Sequence, residues 1–245
     1  MIAKYLRNVT MQDLGPNPPL SMILESVQKQ LQISTDFYSQ DLGFGYEQMN
    51  IIGLFWVISR IRVEWKSLPV SNQTIQIETW PNPITKLGII WNYRIMDLNG
   101  IELLKAMALW SIVSRSTLKL QNALQSNVVD KNLVFESDTV FFQINFKKIS
   151  PIELQMNQTA ICKRILSKDI DENLHVNNSC YIRYVVESLE HKTSPNTYQI
   201  HYIQPLYVNE EIELILKPKD EWIQLDGFVL RQGLKVLSFQ AKIEG

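Results

Sequence analysis

Apolar residues return along this chain at two different spacings. In LSMILESVQKQL (20–31) they fall at 20, 23, 24, 27 and 31, one stripe of an amphipathic helix, and Pro18 and Pro19 suit its first turn. Further on the pattern changes. FWVISRIRVEW (55–65), TIQIETW (74–80), LGIIWNYRIMDLNG (87–100) and IELLKAMALWSIV (101–113) are rich in β-branched and aromatic residues and predict long strands. Asp97-Leu98-Asn99-Gly100 supplies a hairpin turn between the last two. Propensity alone would make IELLKAMALW helical, but its position directly after a turn predicts a strand.

The second half follows the same plan. Tyr181, Tyr184, Val185, Ser188 and Leu189 form a helical stripe whose start Asn177 or Asn178 can cap. TYQIHYIQPL (197–206), EEIELILK (210–217), EWIQLDGFVLR (221–231) and KVLSFQAKI (235–243) then read as strands, with Gln232-Gly233 as a turn. Laid over each other, the halves place Trp65 on Tyr202, Asn72 on Asn209 and Ile75 on Ile212 without a gap. A helix followed by antiparallel strands, twice, predicts two tandem copies of one α+β unit. The join falls in the irregular stretch 121–150, which gives domains of 1–135 and 136–245.

Composition narrows the classes. A 45% hydrophobic fraction with 10% aromatics can fill a sizeable core. Lys+Arg 24 against Asp+Glu 25 leaves almost no net charge, which argues against a general nucleic-acid binder. The longest apolar run, IIGLFWVI (51–58), is far short of the roughly 20 residues of a membrane span. The first residues lack the apolar core and cleavage site of a secretory signal, so a cytoplasmic location is expected. Cys162 and Cys180 match no zinc or redox spacing.

One stretch carries candidate chemistry: DIDENLHVNNSCYIRYVVESL (169–189) gathers Asp169, Asp171, Asn173, His175, Asn177 and Asn178. If 170–176 is extended, Asp171, Asn173 and His175 share one face. An acid, an amide and an imidazole are parts for hydrolysis: one group activates water or attacks, and others hold the carbonyl oxygen. Fully extended, residues four apart are separated by about 13 Å, so the loop bends or the three surround a substrate. The same residues are what a helix-capping loop needs, and composition alone does not separate the readings. Cys180, in an apolar stripe, reads as a small buried hydrophobe, and His191 and His201 have no acid partner at telling spacing. Asp169, Asp171 and His175 lack the second histidine or cysteine of a metal set.

DIDENLHVNNSCYIRYVVES resembles the D-x-D-x-N-x-H-V-N-N-x-x-Y signature of the acyl-acyl-carrier-protein thioesterases of plants and bacteria. GFGYEQMNIIGLFWVISRIRVEWKSLPVSNQTIQIETW (43–80) is similar to a second block of that family through Trp56, Val57, Arg60, Pro69, Thr79 and Trp80, and WNYRIMDLNG with ALWSIVSRST resembles its next hairpin. The resemblance implies a tandem double hotdog of α+β class, each unit a long helix wrapped by a curved antiparallel sheet. It implies that Asp171, Asn173 and His175 are catalytic: Asp171 as nucleophile or activator of water, the other two orienting it and polarising the carbonyl. It also implies a fatty acyl thioester substrate on acyl carrier protein, released as free fatty acid in fatty acid biosynthesis, with no cofactor and no metal. Met22, Met49, Trp56 and Trp91 are then candidates for an acyl pocket in the first unit, or for its core. Lys163, Arg164, Lys168 and Arg183 are candidates to meet an acidic carrier. A monomer or homodimer fits the tandem repeat.

The chain departs from the family in places. Plant members carry a glutamate with a cysteine beside it on the strand after the second helix, where this chain has Pro205 and Leu206; Glu210 or Glu211 could substitute only through a register shift. Trp91-Asn92-Tyr93 and Leu118-Lys119 stand where the family has basic residues. A hotdog protein that binds acyl thioesters or lipid without turnover, and an acyl-CoA hydrolase, are therefore the alternatives.

Overall fold

A computed structural model describes residues 4–12, 14–129, 149–154, 159–189 and 195–245 of the chain. The elements are β1 (Tyr5–Thr10), α1 (Leu20–Asp41), α2 (Tyr46–Ile51), β2 (Leu54–Trp65), β3 (Thr74–Pro81), β4 (Ile89–Asp97) and β5 (Glu102–Ser114), then β6 (Ile161–Arg164), α3 (Cys180–Glu187), β7 (Thr197–Tyr202), β8 (Glu211–Pro218), β9 (Trp222–Arg231) and β10 (Leu234–Glu244). They fall into two compact units, Met1–Pro18 with Ser26–Gln143, and Pro19–Glu25 with Ile144–Gly245. The join expected near 135/136 lies outside the described residues. No helix among the described residues is long and apolar enough to cross a membrane.

In the first unit the strands pair antiparallel in the order β1-β3-β4-β5-β2. Alternation in β3 buries Ile75, Ile77 and Thr79 on one face, and β4 likewise buries Trp91, Tyr93 and Ile95. Helix α1 continues ten residues beyond the 20–31 stripe, because Ser34, Thr35 and Tyr38 extend the buried face after the apolar run stops. The Thr35 hydroxyl meets Tyr93 Oη at 2.6 Å, and the Tyr38 ring stands edge-on to Trp91 at 5.8 Å. Met49 packs with Ile112 and Ala123, with Trp56 against them, and Trp56 Nε1–H donates to the Phe44 carbonyl at 2.9 Å. Met49 and Trp91 are thus buried core residues, Trp56 is partly buried against the core, and Met22 is exposed. The 101–113 segment is the strand that its place after the hairpin turn predicts.

The second unit has the order β7-β10-β9-β8-β6, the same plan strand for strand: an added edge strand, three consecutive antiparallel strands, then the strand that follows the helix. The proposed overlay holds in detail. Trp65 and Tyr202 each end a strand, Ile75 and Ile212 are each second in the next, and Asn72 and Asn209 both take left-handed backbone, φ 62° and 67°, in the turn between. Asparagine tolerates that conformation better than most residues. The helix here is short, eight residues, rather than the long one expected. Its stripe of Tyr181, Tyr184, Val185, Ser188 and Leu189 is buried as predicted. The Tyr181 ring packs edge-on to Tyr202 and Phe239, each 5.1 Å away. Phe239 fits because its cross-strand partner is Gly227: a Cβ there would lie 2.4 Å from the ring.

Candidate active site

Residues 169–177 join a short 3₁₀ turn (Ser167–Asp169) to α3 and fold back on themselves, rather than running extended as the shared-face reading assumed. Asn177 N–H donates to the Asp169 carbonyl at 2.9 Å, and Asp171 N–H to the His175 carbonyl at 2.9 Å, with Ile170 and Val176 bridged between them. The result is a miniature hairpin. Its tip is held by Asp171, whose Oδ1 accepts Asn173 N–H at 2.8 Å and whose carbonyl accepts Leu174 N–H at 3.1 Å, with Leu174 at φ 64°. An aspartate that takes the N–H two residues on is the device that makes such a turn from so few residues.

Because Asp171 and His175 face each other across the stem, their side chains meet: His175 Nδ1 lies 3.7 Å from Asp171 Oδ1. That is within ion-pair reach but too long for a hydrogen bond. Both side chains are part-exposed. Asn173 sits at the exposed tip and is tied to Asp171 through its backbone N–H. Of the three expected residues, then, the fold brings two side chains together and places the third beside them. Asn177 does not cap α3 directly; its Oδ1 takes the N–H (2.9 Å) and hydroxyl (2.8 Å) of Ser179, the residue that precedes the helix.

The loop rests on β7 and its extension. Val176 N–H donates to the Leu206 carbonyl at 2.8 Å, and Tyr202 Oη–H to the Asn178 carbonyl at 3.0 Å. Position 205 therefore adjoins the loop, yet it carries a proline with no carboxylate. Glu210 does not fill the role. Its two oxygens accept Arg231 Nε at 2.7 Å and Nη2 at 2.9 Å, and one also takes Tyr207 N–H at 2.9 Å. Burial would raise the Glu210 carboxyl, but these donors and the Arg231 charge outweigh it and hold the group below the usual carboxylate range. Glu211 starts β8 opposite Arg164.

Of the four basic residues near the motif, two are committed internally. Lys163 pairs with Glu187 at 2.5 Å, and Arg183 lies between Glu25 and Asp169. Arg164 and Lys168 help line a shallow hollow of about 500 Å³ with Leu166, Val208 and Asn209, at the foot of the loop. Among the described residues no group of three His, Cys, Asp or Glu side chains is placed to hold a metal.

Two family profiles match consecutive parts of the chain: the acyl-ACP thioesterase N-terminal domain at residues 4–131 and the acyl-ACP thioesterase C-terminal domain at 155–233. The chain belongs to the acyl-ACP thioesterase family. It is 27% identical over 179 residues to the chloroplastic oleoyl-acyl carrier protein thioesterase of Coriandrum sativum, covering 68% of this chain and 48% of that protein. This chain thus spans about half the length of the curated relatives it matches. An acyl-ACP thioesterase from Bacteroides thetaiotaomicron superposes with a TM-score of 0.75 at 18% identity, over 98% of this chain and 97% of that one. The 12:0-ACP thioesterase from Umbellularia californica gives 0.76 at 16% identity, over 98% and 96%. At those identities the superpositions establish the fold, a tandem double hotdog of α+β class.

Proposed function

We propose that this chain hydrolyses fatty acyl thioesters carried on acyl carrier protein, releasing free fatty acid and so terminating chain synthesis. The observation that carries the reading is the Asp171–His175 pair, held 3.7 Å apart by a nine-residue hairpin in a chain of this family. Asp171 takes a proton from water, whose oxygen bonds to the thioester carbonyl carbon. The tetrahedral oxyanion collapses, the C–S bond breaks, and the thiolate leaves with the proton held by the Asp171–His175 pair. Asn173, beside the pair at the tip, orients the carboxylate and polarises the carbonyl. In the alternative route the Asp171 carboxylate itself bonds to the carbonyl carbon and the thiolate leaves; water then hydrolyses the mixed anhydride, which returns the carboxylate and releases the fatty acid. The exposed cations Arg164 and Lys168, at the foot of the loop, supply charge of the sign an acidic carrier needs.

One observation favours a second reading. Pro205 adjoins the loop and Glu210 is committed to Arg231, so the second unit holds no carboxylate where plant members have one. On that reading the protein binds acyl thioesters without turning them over. Free-thiol release from acyl carrier and acyl-CoA thioesters of graded chain length separates the two. Hydrolysis predicts release that falls by at least about 100-fold in both Asp171→Asn and His175→Ala, the usual scale for losing a general acid or base. Retention of the acylated carrier in a pull-down without release supports the binder.

A further inference from the structure

The hairpin that presents Asp171 and His175 is tied through Asp169 to the helix behind it, and the tie is a part-buried ionic cluster with Asp169 at its buried end. Asp169, 3% exposed, gives its carbonyl to Asn177 N–H, closing the hairpin stem. Its carboxylate takes Arg183 Nη2 at 2.5 Å on Oδ1 and the Tyr184 hydroxyl at 2.6 Å on Oδ2. Arg183 Nε in turn donates to Glu25 Oε2 at 2.7 Å, and Glu25, which belongs to this same unit, also accepts from Cys180 Sγ at 3.2 Å. Every member has a task within the cluster, and none touches the candidate catalytic pair.

Chemistry explains why an arginine stands there. A planar guanidinium can address two carboxylates at once in fixed directions, which an ammonium cannot. Set between Asp169 and Glu25, it holds the first residue of the hairpin at a definite height above α3. The near limb is held there, while the far limb rests on the Leu206 carbonyl through Val176 N–H and continues directly into α3. The Asp171–His175 separation depends on the register of the two limbs, and that register starts at Asp169.

We propose that Arg183 is a positioning residue: by gripping Asp169 it fixes the register of the 169–177 hairpin and hence the orientation of His175 toward Asp171. The proposal rests on the hydrolase reading for its kinetic consequence but not for its geometric one. Arg183→Ala frees Asp169, and kcat on an acyl carrier thioester falls about 10- to 100-fold while KM stays within about threefold, because misplacement by an ångström penalises the reacting geometry more than binding. Arg183→Lys keeps the charge and recovers part of the loss. Tyr184→Phe, which removes one hydroxyl, lowers kcat several-fold.

The test combines kinetics on the full chain, well below each variant's unfolding temperature, with ring-nitrogen NMR of His175, readily assigned among three histidines. Displaced His175 signals in Arg183→Ala, returning toward wild type in Arg183→Lys, together with the kcat-selective loss, support the role. A folded Arg183→Ala with unmoved His175 signals and kcat within twofold of wild type overturns it. If Arg183→Ala does not fold, Arg183→Met, which keeps the length of the stem and removes the guanidinium, decides by the same two readouts. If the wild-type chain releases no thiol, the hydrolase reading fails on its own, and the His175 signals alone decide the positioning role.

Discussion

Asp226 lies in the middle of β9 with no exposed surface, and its carboxylate accepts from three donor residues. Ile152 N–H reaches Oδ2 at 2.7 Å, Gln224 Nε2 reaches Oδ1 at 3.0 Å, and Gln240 Nε2 spans both oxygens at 3.1 and 3.2 Å. Gln224 also donates to the Ser150 carbonyl at 2.8 Å, so the segment around 150–152 is clamped across this sheet. Asp226→Asn keeps the shape and replaces one acceptor by a donor. With the new NH₂ at Oδ2 it opposes Ile152 N–H; with it at Oδ1 it opposes the Gln224 amide, already committed to Ser150. Neither rotamer satisfies all three donors. Losing one hydrogen bond to a charged group costs about 1.5–3 kcal/mol, and the orphaned donor adds its own desolvation, for a total of about 2–4 kcal/mol. At roughly 2–4 °C per kcal/mol for a chain of this size, calorimetry should show Tm lowered by about 4–16 °C. Amide exchange at Ile152 should accelerate in step. A Tm within about 2 °C of wild type, or a rise, would show that freeing the site of a buried carboxylate outweighs its hydrogen bonds, and would refute the reasoning.

Other consequences are as specific. The Cys180 thiol is pushed up to about 12 by burial and by Glu25, whereas Cys162 is exposed; a thiol reagent at pH 8 should therefore label one cysteine in the native chain and two in denaturant, and two native equivalents would contradict the placement. Gly88 sits at φ 132° with an added Cβ only 1.9 Å from the Trp110 carbonyl oxygen, while Gly53, at φ 71°, has open space. Gly88→Ala should abolish soluble expression or lower Tm steeply, and Gly53→Ala should cost only the left-handed penalty of about 1–2 kcal/mol; equal effects would refute the steric argument. The Glu210 carboxyl is lowered in the folded state, so its contribution is present above the ordinary carboxylate value and lost as pH falls through the folded one. The Tm advantage of wild type over Glu210→Gln should accordingly be larger at pH 7 than at pH 3.5; a gap that widens on acidification would reverse the sign.

Much of the fold was legible because the sheet strands bury alternate β-branched and aromatic side chains, a signal carried by short sequence windows. IELLKAMALW shows the limit of propensity: the turn at Asp97–Gly100, with Asp97 Oδ1 accepting Asn99 and Ile101 N–H, decides its state. Strands β1 and β6 went unread because they are edge strands with partly exposed, mixed side chains, whose pairing partners, β3 and β8, are distant in sequence. The six-residue helix α2 is too short for a periodic signal. At the candidate site, residue identity was legible and geometry was not. The period-2 reading put Asp171, Asn173 and His175 on one face, whereas the turn made by the Asp171 carboxylate and the left-handed Leu174 folds the loop. An Asp-x-Asn turn signal was present in DEN and could have indicated it. The Asp169–Arg183 pair, 14 residues apart, was hidden because the basic residues near the motif read equally well as surface charge.

The central claim is that the Asp171–His175 hairpin cleaves a thioester with proline at position 205. Its most direct test is a single-turnover time course: wild-type chain in excess over palmitoyl-, oleoyl- or lauroyl-acyl carrier protein, quenched and weighed by mass spectrometry. The account predicts conversion of at least one acylated carrier to the free-thiol form plus fatty acid, and retention of the acylated mass with Asp171→Asn. Acylated carrier that stays intact with wild-type protein, while remaining bound to it, would contradict the claim and establish a binding protein built on the same fold.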